Sequence, residues 1–267
     1  MRVENLSRVF ERIQRTLMGA ERPVMTTDAD GTLWAGDVGD DAFECLLEER
    51  GVREEARDAL CLEARSVGIE PRGDATDIAQ QLYDSFRSSG LGEARCYGMM
   101  AWAFAGWTPD EIRAFARRMF LKRGLEERIH EEMRAVVEWA RERGVPLWVV
   151  SASPLFVVQT GIEHFEIPSE RIIAATPILS DGVVGARLAD PIPYGEGKVR
   201  GIERVVGACR IVAAFGDEAF DLEMLGRADV PVAVRPKERL RRRAAELPGL
   251  VELAGPTSGK GVATCLP

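Results

Sequence analysis

Pro23-Val-Met-Thr-Thr-Asp28-Ala-Asp30-Gly-Thr-Leu-Trp34 is the stretch on which the fold turns. Its first five residues form a short run of the kind that makes a buried strand. The run ends in two carboxylates two residues apart, and Gly31 and Thr32 supply turn chemistry directly after them. Two further runs end in a similar way. Val145-Pro-Leu-Trp-Val-Val-Ser151 stops at a hydroxyl, and Arg210-Ile-Val-Ala-Ala-Phe-Gly-Asp217 stops at a carboxylate. A fourth run, Val230-Pro-Val-Ala-Val234, lacks the polar ending. Helical patterns over residues 126–143, 154–164, 197–207 and 218–227 accompany these runs. The alternation predicts an α/β protein with a doubly wound parallel sheet. Ligands of such sheets bind just beyond the carboxyl ends of the strands, so Asp28, Ser151 and Asp217 are expected on one edge.

Residues 37–122 hold several helical patterns and no convincing strand. One pattern opens at Thr108-Pro109-Asp110-Glu111, with Thr as N-cap, Pro in the first helical position and Glu placed for a capping box. About 85 residues are too many for a loop in a compact domain. The expected organisation is therefore a core of residues 1–36 and 123–267, with a helical domain of residues 37–122 inserted after the first strand. Val3, Leu6, Phe10, Ile13 and Leu17 form one stripe of an amphipathic helix over residues 3–18. That stripe suits packing on its own chain, a homodimer contact or a membrane surface. Residues 176–193 read as a hairpin with its turn at Ser180-Asp181-Gly182. Residues 255–267 are rich in Gly, Ser and Thr and read as a loosely packed tail.

The composition narrows the function. The 267 residues are 46% hydrophobic and 29% charged, enough for a sizeable core. A net charge of −8 argues against a nucleic-acid module, which draws its affinity from clustered Lys and Arg. No run approaches the length of a membrane span, and the charged N-terminus lacks the apolar stretch of a secretory signal. The five cysteines are scattered, form no disulfide framework or zinc motif, and point to a reducing cytoplasm. With only His130 and His164 present, a three-histidine metal site is excluded and the chemistry is expected to rest on carboxylates.

Four elements carry that chemistry. Asp28 and Asp30 can divide nucleophilic and proton-transfer work, although Asp-Gly is also ordinary turn chemistry. Ser151-Ala-Ser153-Pro154 places a strand-end hydroxyl before a helix start, with Ser153 as N-cap, where backbone N–H groups favour phosphate. Lys198, in Gly195-Glu-Gly-Lys-Val, opens the next helical pattern, as many surface lysines do. In Gly216-Asp217-Glu-Ala-Phe-Asp221, a helix starting after Gly216 sets Asp217 and Asp221 one turn apart, a donor pair suited to Mg²⁺. The run Arg239, Arg241, Arg242 and Arg243 reads as a solvated helix face. Gly255-Pro-Thr-Ser-Gly-Lys260-Gly is one residue short of a P-loop.

Taken in order, Asp-x-Asp-Gly-Thr-Leu, the strand-end Ser, the Lys and Gly-Asp-x-x-x-Asp resemble the haloacid dehalogenase-like (HAD) hydrolase superfamily over residues 22–36 and 126–253. The resemblance implies a Rossmann-like core with a helical C1 cap. It also implies a Mg²⁺-dependent phosphatase acting on a small phosphorylated metabolite. Asp28 would be the nucleophile that becomes an aspartyl-phosphate, and Asp30 the acid and base. Thr32 would hold the loop, Ser151 would bind a phosphoryl oxygen, and Lys198 would balance charge. Asp28, the Asp30 carbonyl and Asp217 would hold the metal, with Asp221 behind them or acting through water. Dehalogenases and phosphonatases lack an Asp at the Asp30 position. A phosphotransferase or a phosphate-binding protein without catalysis would use the same residues.

The spelling around Ser151 and Lys198 is similar to the phosphoserine-phosphatase-like branch, with departures. Asp37 stands where that branch has a Glu for the substrate ammonium, and the cap arginine that grips the substrate carboxylate has no counterpart. Glu218 replaces a small residue beside Asp217. Asp37 and the aromatic stretch Tyr97-Gly-Met-Met-Ala-Trp-Ala-Phe-Ala-Gly-Trp107 would suit a quaternary ammonium, or the aromatics would simply pack among themselves.

Overall fold

A computed structural model describes residues 1–255. The Gly-rich stretch through Lys260 and the rest of the tail with Cys265 lie outside the described residues from residue 256 on. The chain opens with strand β1 (Arg2–Glu4) and helix α1 (Leu6–Leu17), then enters β2 (Pro23–Thr27). Five helices follow without a strand among them: α2 (Val38–Glu48), α3 (Arg57–Ser66), α4 (Ala75–Arg87), α5 (Glu93–Trp102) and α6 (Pro109–Arg123). A short α7 (Leu125–Arg128) and α8 (Glu131–Glu142) lead into β3 (Leu147–Pro154), α9 (Leu155–Gly161) and β4 (Ile172–Ala175). The hairpin strands β5 (Pro177–Ser180) and β6 (Val183–Leu188) precede α10 (Glu196–Val205) and β7 (Arg210–Gly216). The described chain closes with α11 (Leu222–Leu225), β8 (Val230–Val234), α12 (Glu238–Arg243) and β9 (Val251–Leu253).

Seven strands pair in the order β1-β9-β8-β7-β2-β3-β4, and every pairing is parallel. From β2 the chain winds outward through β3 and β4, then returns to β7 and winds the other way. That reversal leaves a switch point between β2 and β7, where the strand ends open a crevice. One face of the sheet shares a continuous apolar core with α1, α8, α9 and the helices between β2 and β3. The other face packs Val150, Ile173, Ile202, Ala214, Leu225 and Leu240. Phe43, Phe104 and Phe115 are fully buried in the first core, and burying such a side chain contributes about 1.5–3 kcal/mol.

Local signals explain the element boundaries near the site. The capping box at Thr108 and Glu111 starts α6 with Pro109 in its first turn, and Gly124 ends it at φ +63°. Asp181 and Gly182 both take positive φ, the geometry of a two-residue hairpin turn. Val184 at the hairpin exchanges backbone hydrogen bonds with Gly106 and Trp107, both 2.8 Å, and so braces the chain beyond α5.

Four expectations change. Residues 2–4 form an edge strand, with the helix starting at Leu6 under an Asn5 cap, so the helical insertion follows the second strand. Three residues are too few to show an alternation, and Glu4 is the buried one, held by Arg2 and Arg12. The apolar stripe of α1 is covered by its own chain, with Phe10 stacked on Trp139 at 4.9 Å. Residues 126–143 divide into two helices. β3 continues through Pro154, and Ser153 does not cap α9 because its hydroxyl is bound elsewhere. No helix starts directly after Gly216: a 3₁₀ turn at Ala219–Asp221 comes first, with Glu218 as its cap. No helix among the described residues is long and apolar enough to cross a membrane.

Candidate active site

β7, β2 and β3 lie side by side, so their carboxyl ends deliver Asp217, Asp28 and Ser151 to one edge. The Asp28 N–H still donates to the Phe215 carbonyl (2.9 Å), which fixes the first carboxylate at the strand end. The loop then turns at Gly31, where φ is +83° and a Cβ atom would stand 2.1 Å from Asp217 Oδ2. Only glycine permits that approach. Thr32 places its hydroxyl 3.4 Å from both Asp28 Oδ2 and Asp217 Oδ1. Buried His130 holds this loop twice: its ring Nδ1 lies 2.9 Å from the Thr32 carbonyl, and its backbone N–H donates to the Leu33 carbonyl.

Lys198 is no surface residue. It is completely buried, and its Nζ lies 2.5 Å from Asp28 Oδ1 and 2.6 Å from Asp221 Oδ1. Burial works against the ammonium, but Asp221 and Asp28 outweigh it and hold its pKa above the ordinary lysine value. The second Asp221 oxygen accepts from the backbone N–H groups of Asp217 and Glu218 (3.1 and 3.0 Å). Asp221 thus ties Lys198 to the Asp217 loop. Gly216 leaves room for it, since a Cβ there would meet the Asp221 side chain at 2.7 Å.

Asp30 faces the helical insertion. Its Oδ1 accepts from Trp34 Nε1 (2.8 Å) and from the Val38 N–H at the start of α2 (2.7 Å). Its Oδ2 accepts from the Ser153 hydroxyl at 2.7 Å and from the Ser151 hydroxyl at 3.4 Å. Ser151 Oγ in turn accepts from the Ser153 N–H. Gly39 lets α2 come up against Ser153, where a Cβ would stand 2.7 Å from its hydroxyl.

Asp28, Asp217 and Asp221 each offer an oxygen within 4.8 Å of the others, and all three are buried. Such crowding is costly without positive charge. Burial raises the Asp28 pKa well above the ordinary value against the pull of Lys198, and Asp221, Asp217 and Asp30 add to the rise. Asp217 is pushed up to about 7, by burial first and Asp221 second, with Lys237 and Lys198 opposing. A compact set of hard oxygen donors short of positive charge fits a divalent cation such as Mg²⁺.

Over these groups lies a cavity of about 70 Å³, lined by Asp28, Asp30, Asp37, Ser151, Ser153, Lys237 and Arg239 with Tyr97 and Phe220. Asp37 caps α2 by accepting from the Asp40 N–H. Burial, then Asp30 and Asp40, raise its pKa well above the ordinary value. At the mouth, Arg239 grips Glu93 at the start of α5 through two bonds of 2.6 and 3.1 Å and lies 3.2 Å from Glu218. Tyr194 donates to the same Glu93. Arg239 is half exposed, as a solvated run implies, but it also lines the cavity, whereas Arg241, Arg242 and Arg243 pair with Glu252, Glu238 and Glu246 on the outer face. Of the aromatic stretch, Tyr97 alone lines the cavity. Trp107 packs on Phe104 and Phe115, and Trp34 is fully buried.

The model of the haloacid dehalogenase-like hydrolase family matches residues 26–226. No curated protein matches in sequence. Several solved structures share the fold. A protein of unknown function from Bordetella pertussis Tohama I is 20% identical, with a TM-score of 0.65, over 86% of this chain and 98% of that one. A functionally unknown protein from Anaerococcus prevotii DSM 20548 is 14% identical, with a TM-score of 0.68, over 92% and 90%. A phosphoserine phosphohydrolase-like protein from Francisella tularensis subsp. tularensis SCHU S4 is 15% identical, with a TM-score of 0.51, over 86% and 94%.

Proposed function

The chain belongs to the haloacid dehalogenase-like hydrolase family, and we propose that it is a Mg²⁺-dependent phosphatase that hydrolyses a small phosphomonoester through an aspartyl-phosphate on Asp28. One observation carries this reading. The Asp28 carboxylate sits between a buried ammonium and two further buried carboxylates at the sheet's switch point.

Asp28 attacks phosphorus, and the bond from phosphorus to the leaving alcohol oxygen breaks in line. Asp30 gives its proton to that oxygen, then takes one from the water that attacks the aspartyl-phosphate and frees Asp28. Lys198 offsets the repulsion between a carboxylate and a phosphate dianion, and Ser151 holds a phosphoryl oxygen. Thr32 and Asp221 keep Asp28, Asp217 and Lys198 in register. Asp28, the Asp30 carbonyl and Asp217 are the residues that would hold Mg²⁺, which when bound supplies charge neutralisation and orientation of the phosphoryl oxygens.

Residues 37–122 act as the cap. The cavity beside Asp28 is small, about 70 Å³, which favours a small phosphomonoester. Opening at the Glu93–Arg239 pair would widen the way in for substrate, and reclosure would exclude water. Asp37 faces the leaving alcohol and selects it.

The test is phosphate release from phosphoserine, phosphocholine, phosphoethanolamine, sugar phosphates and p-nitrophenyl phosphate, with Mg²⁺ and with EDTA, beside Asp28→Asn. Turnover that needs both Mg²⁺ and Asp28 is expected. Turnover that survives EDTA or Asp28→Asn overturns the mechanism, and an added alcohol that captures the phosphoryl group shows transfer instead of hydrolysis.

A further inference from the structure

The four carboxylates of the site, Asp28, Asp30, Asp217 and Asp221, face two ammonium groups. Lys198 is fully buried and spends two of its three donors on Asp28 and Asp221. Lys237 is placed differently. It lies on the loop between β8 and α12, its Nζ is 2.9 Å from Asp217 Oδ2, and its side chain remains 54% exposed. Its backbone N–H donates to the Asp217 carbonyl at 2.8 Å, so the loop stays anchored whatever the ammonium does. The same side chain lines the cavity with Asp28 and Ser151.

We infer that Lys237 is the exchangeable counter-ion of the site: its ammonium neutralises Asp217 in the metal-free protein and serves the phosphoryl group once that carboxylate is claimed by the cation. The inference rests on the metal-dependent phosphatase reading above. With Asp30 protonated as the acid, two ammonium groups and one divalent cation against the three remaining carboxylates leave a single positive charge. A phosphomonoester dianion brings two negative charges, and Lys198, with two of its three donors on Asp28 and Asp221, has only one left for them. A lysine on a flexible stem, with three rotatable donors and half its surface in water, can change partner at small cost. An ammonium resting on a carboxylate also competes with any cation that approaches the same oxygen.

The experiment measures binding in place of turnover. Mg²⁺ is titrated calorimetrically into metal-free wild type, Lys237→Met and Lys237→Arg, and inorganic phosphate is then titrated into the Mg²⁺-loaded proteins. Lys237→Met is expected to bind Mg²⁺ at least about threefold more tightly, because the competing charge is gone. The loaded variant is expected to bind phosphate at least about tenfold more weakly, for want of a charge-assisted bond, and Lys237→Arg restores most of that loss. Unchanged or weaker Mg²⁺ binding by Lys237→Met, or unchanged phosphate binding, overturns the inference alone. A wild type that binds neither ligand overturns the phosphatase reading as well. Lys237→Gln serves as a second neutral variant should Lys237→Met fold poorly.

Discussion

Lys198→Met tests the electrostatic reasoning most directly. Methionine keeps roughly the length of the side chain and removes its charge. The ammonium touches Asp28 at 2.5 Å and Asp221 at 2.6 Å and has no exposed surface, so water cannot replace it. Removing one partner of a buried ion pair costs about 3–5 kcal/mol, most of it from the charge left behind. Two carboxylates lose the same cation here, and Lys237 is occupied with Asp217. The expected loss lies at the upper end, about 4–5 kcal/mol at pH 8. At about 2 °C per kcal/mol for a chain of this size, Tm falls by about 8–10 °C.

The pH dependence supplies the sharper arm. Burial holds the Asp28 pKa above its ordinary value even with Lys198 in place, and the neighbouring carboxylates add to it. A carboxyl whose pKa is higher folded than unfolded binds its proton more tightly in the folded state. The cost of its charge is therefore full above the folded pKa and fades as pH falls towards the unfolded value. Removing Lys198 raises the folded pKa further, so the deficit is greatest at pH 8 and shrinks towards pH 5. Urea unfolding of both proteins in EDTA at the two pH values reads this. A deficit below about 1 kcal/mol at pH 8 would refute the ion-pair argument. One of equal size at both pH values would show that packing, and not charge, is responsible.

Gly31→Ala forces a side chain into a positive-φ position and against Asp217, so a stability loss of about 2 kcal/mol or more and loss of turnover are expected from denaturation and phosphate release. Asp40 has its pKa raised to about 6 by burial first, then Asp30, Glu44 and Asp41, and one of its oxygens is buried without a partner. Its charge is a liability above pH 6 and none below the ordinary carboxylate range, so Asp40→Asn should stabilise by about 1–2 kcal/mol at pH 8 and by nothing at pH 4, as urea midpoints will show. Arg239→Met removes the two-bond grip on Glu93 at the mouth; kcat should fall about tenfold through poorer closure. Unfolding of that variant should shift by under about 1 kcal/mol, because the arginine is half exposed and the pair is screened by water.

The parts of this structure that were legible in the sequence share a property: their signal is local. A strand followed by Asp28-Ala-Asp30-Gly31, or a capping box at Thr108 and Glu111, sits within a dozen residues and carries its own geometry. The sheet core around β2, β3, β7 and β8 was visible for that reason. β1, β4 and β9 were not, because runs of three or four residues show no period, and β1 pairs with a strand from the other end of the chain. Lys198 stood out only through its order among the other motifs, since nothing adjacent announces a fully buried ammonium. Arg239 was hidden by company. Four arginines in a short helix look like one solvated face, and the partner that draws Arg239 to the cavity lies 146 residues away. His130 gave no signal at all, because its task is to hold the carbonyl of a residue 98 positions earlier.

The same distance between partners explains how so much negative charge survives in one place. Within a single loop, neighbouring carboxylates would splay into water. Here Asp28 and Asp217 are delivered by adjacent parallel strands whose faces are both covered, so the backbone is held by ladder bonds and packing before any side chain is placed. Asp221 cannot turn away, since one oxygen is bound by Lys198 and the other by two backbone N–H groups of the Asp217 loop. Asp30 is restrained from the opposite side by Val38, Trp34 and Ser153, two of which stand on elements other than its own loop. Strain of this kind persists only where the surroundings over-determine it. The rigid sheet edge lets the carboxylates stay close and short of positive charge, and in the mechanism we propose that shortage is what would draw in a cation and set Asp28 against a phosphate.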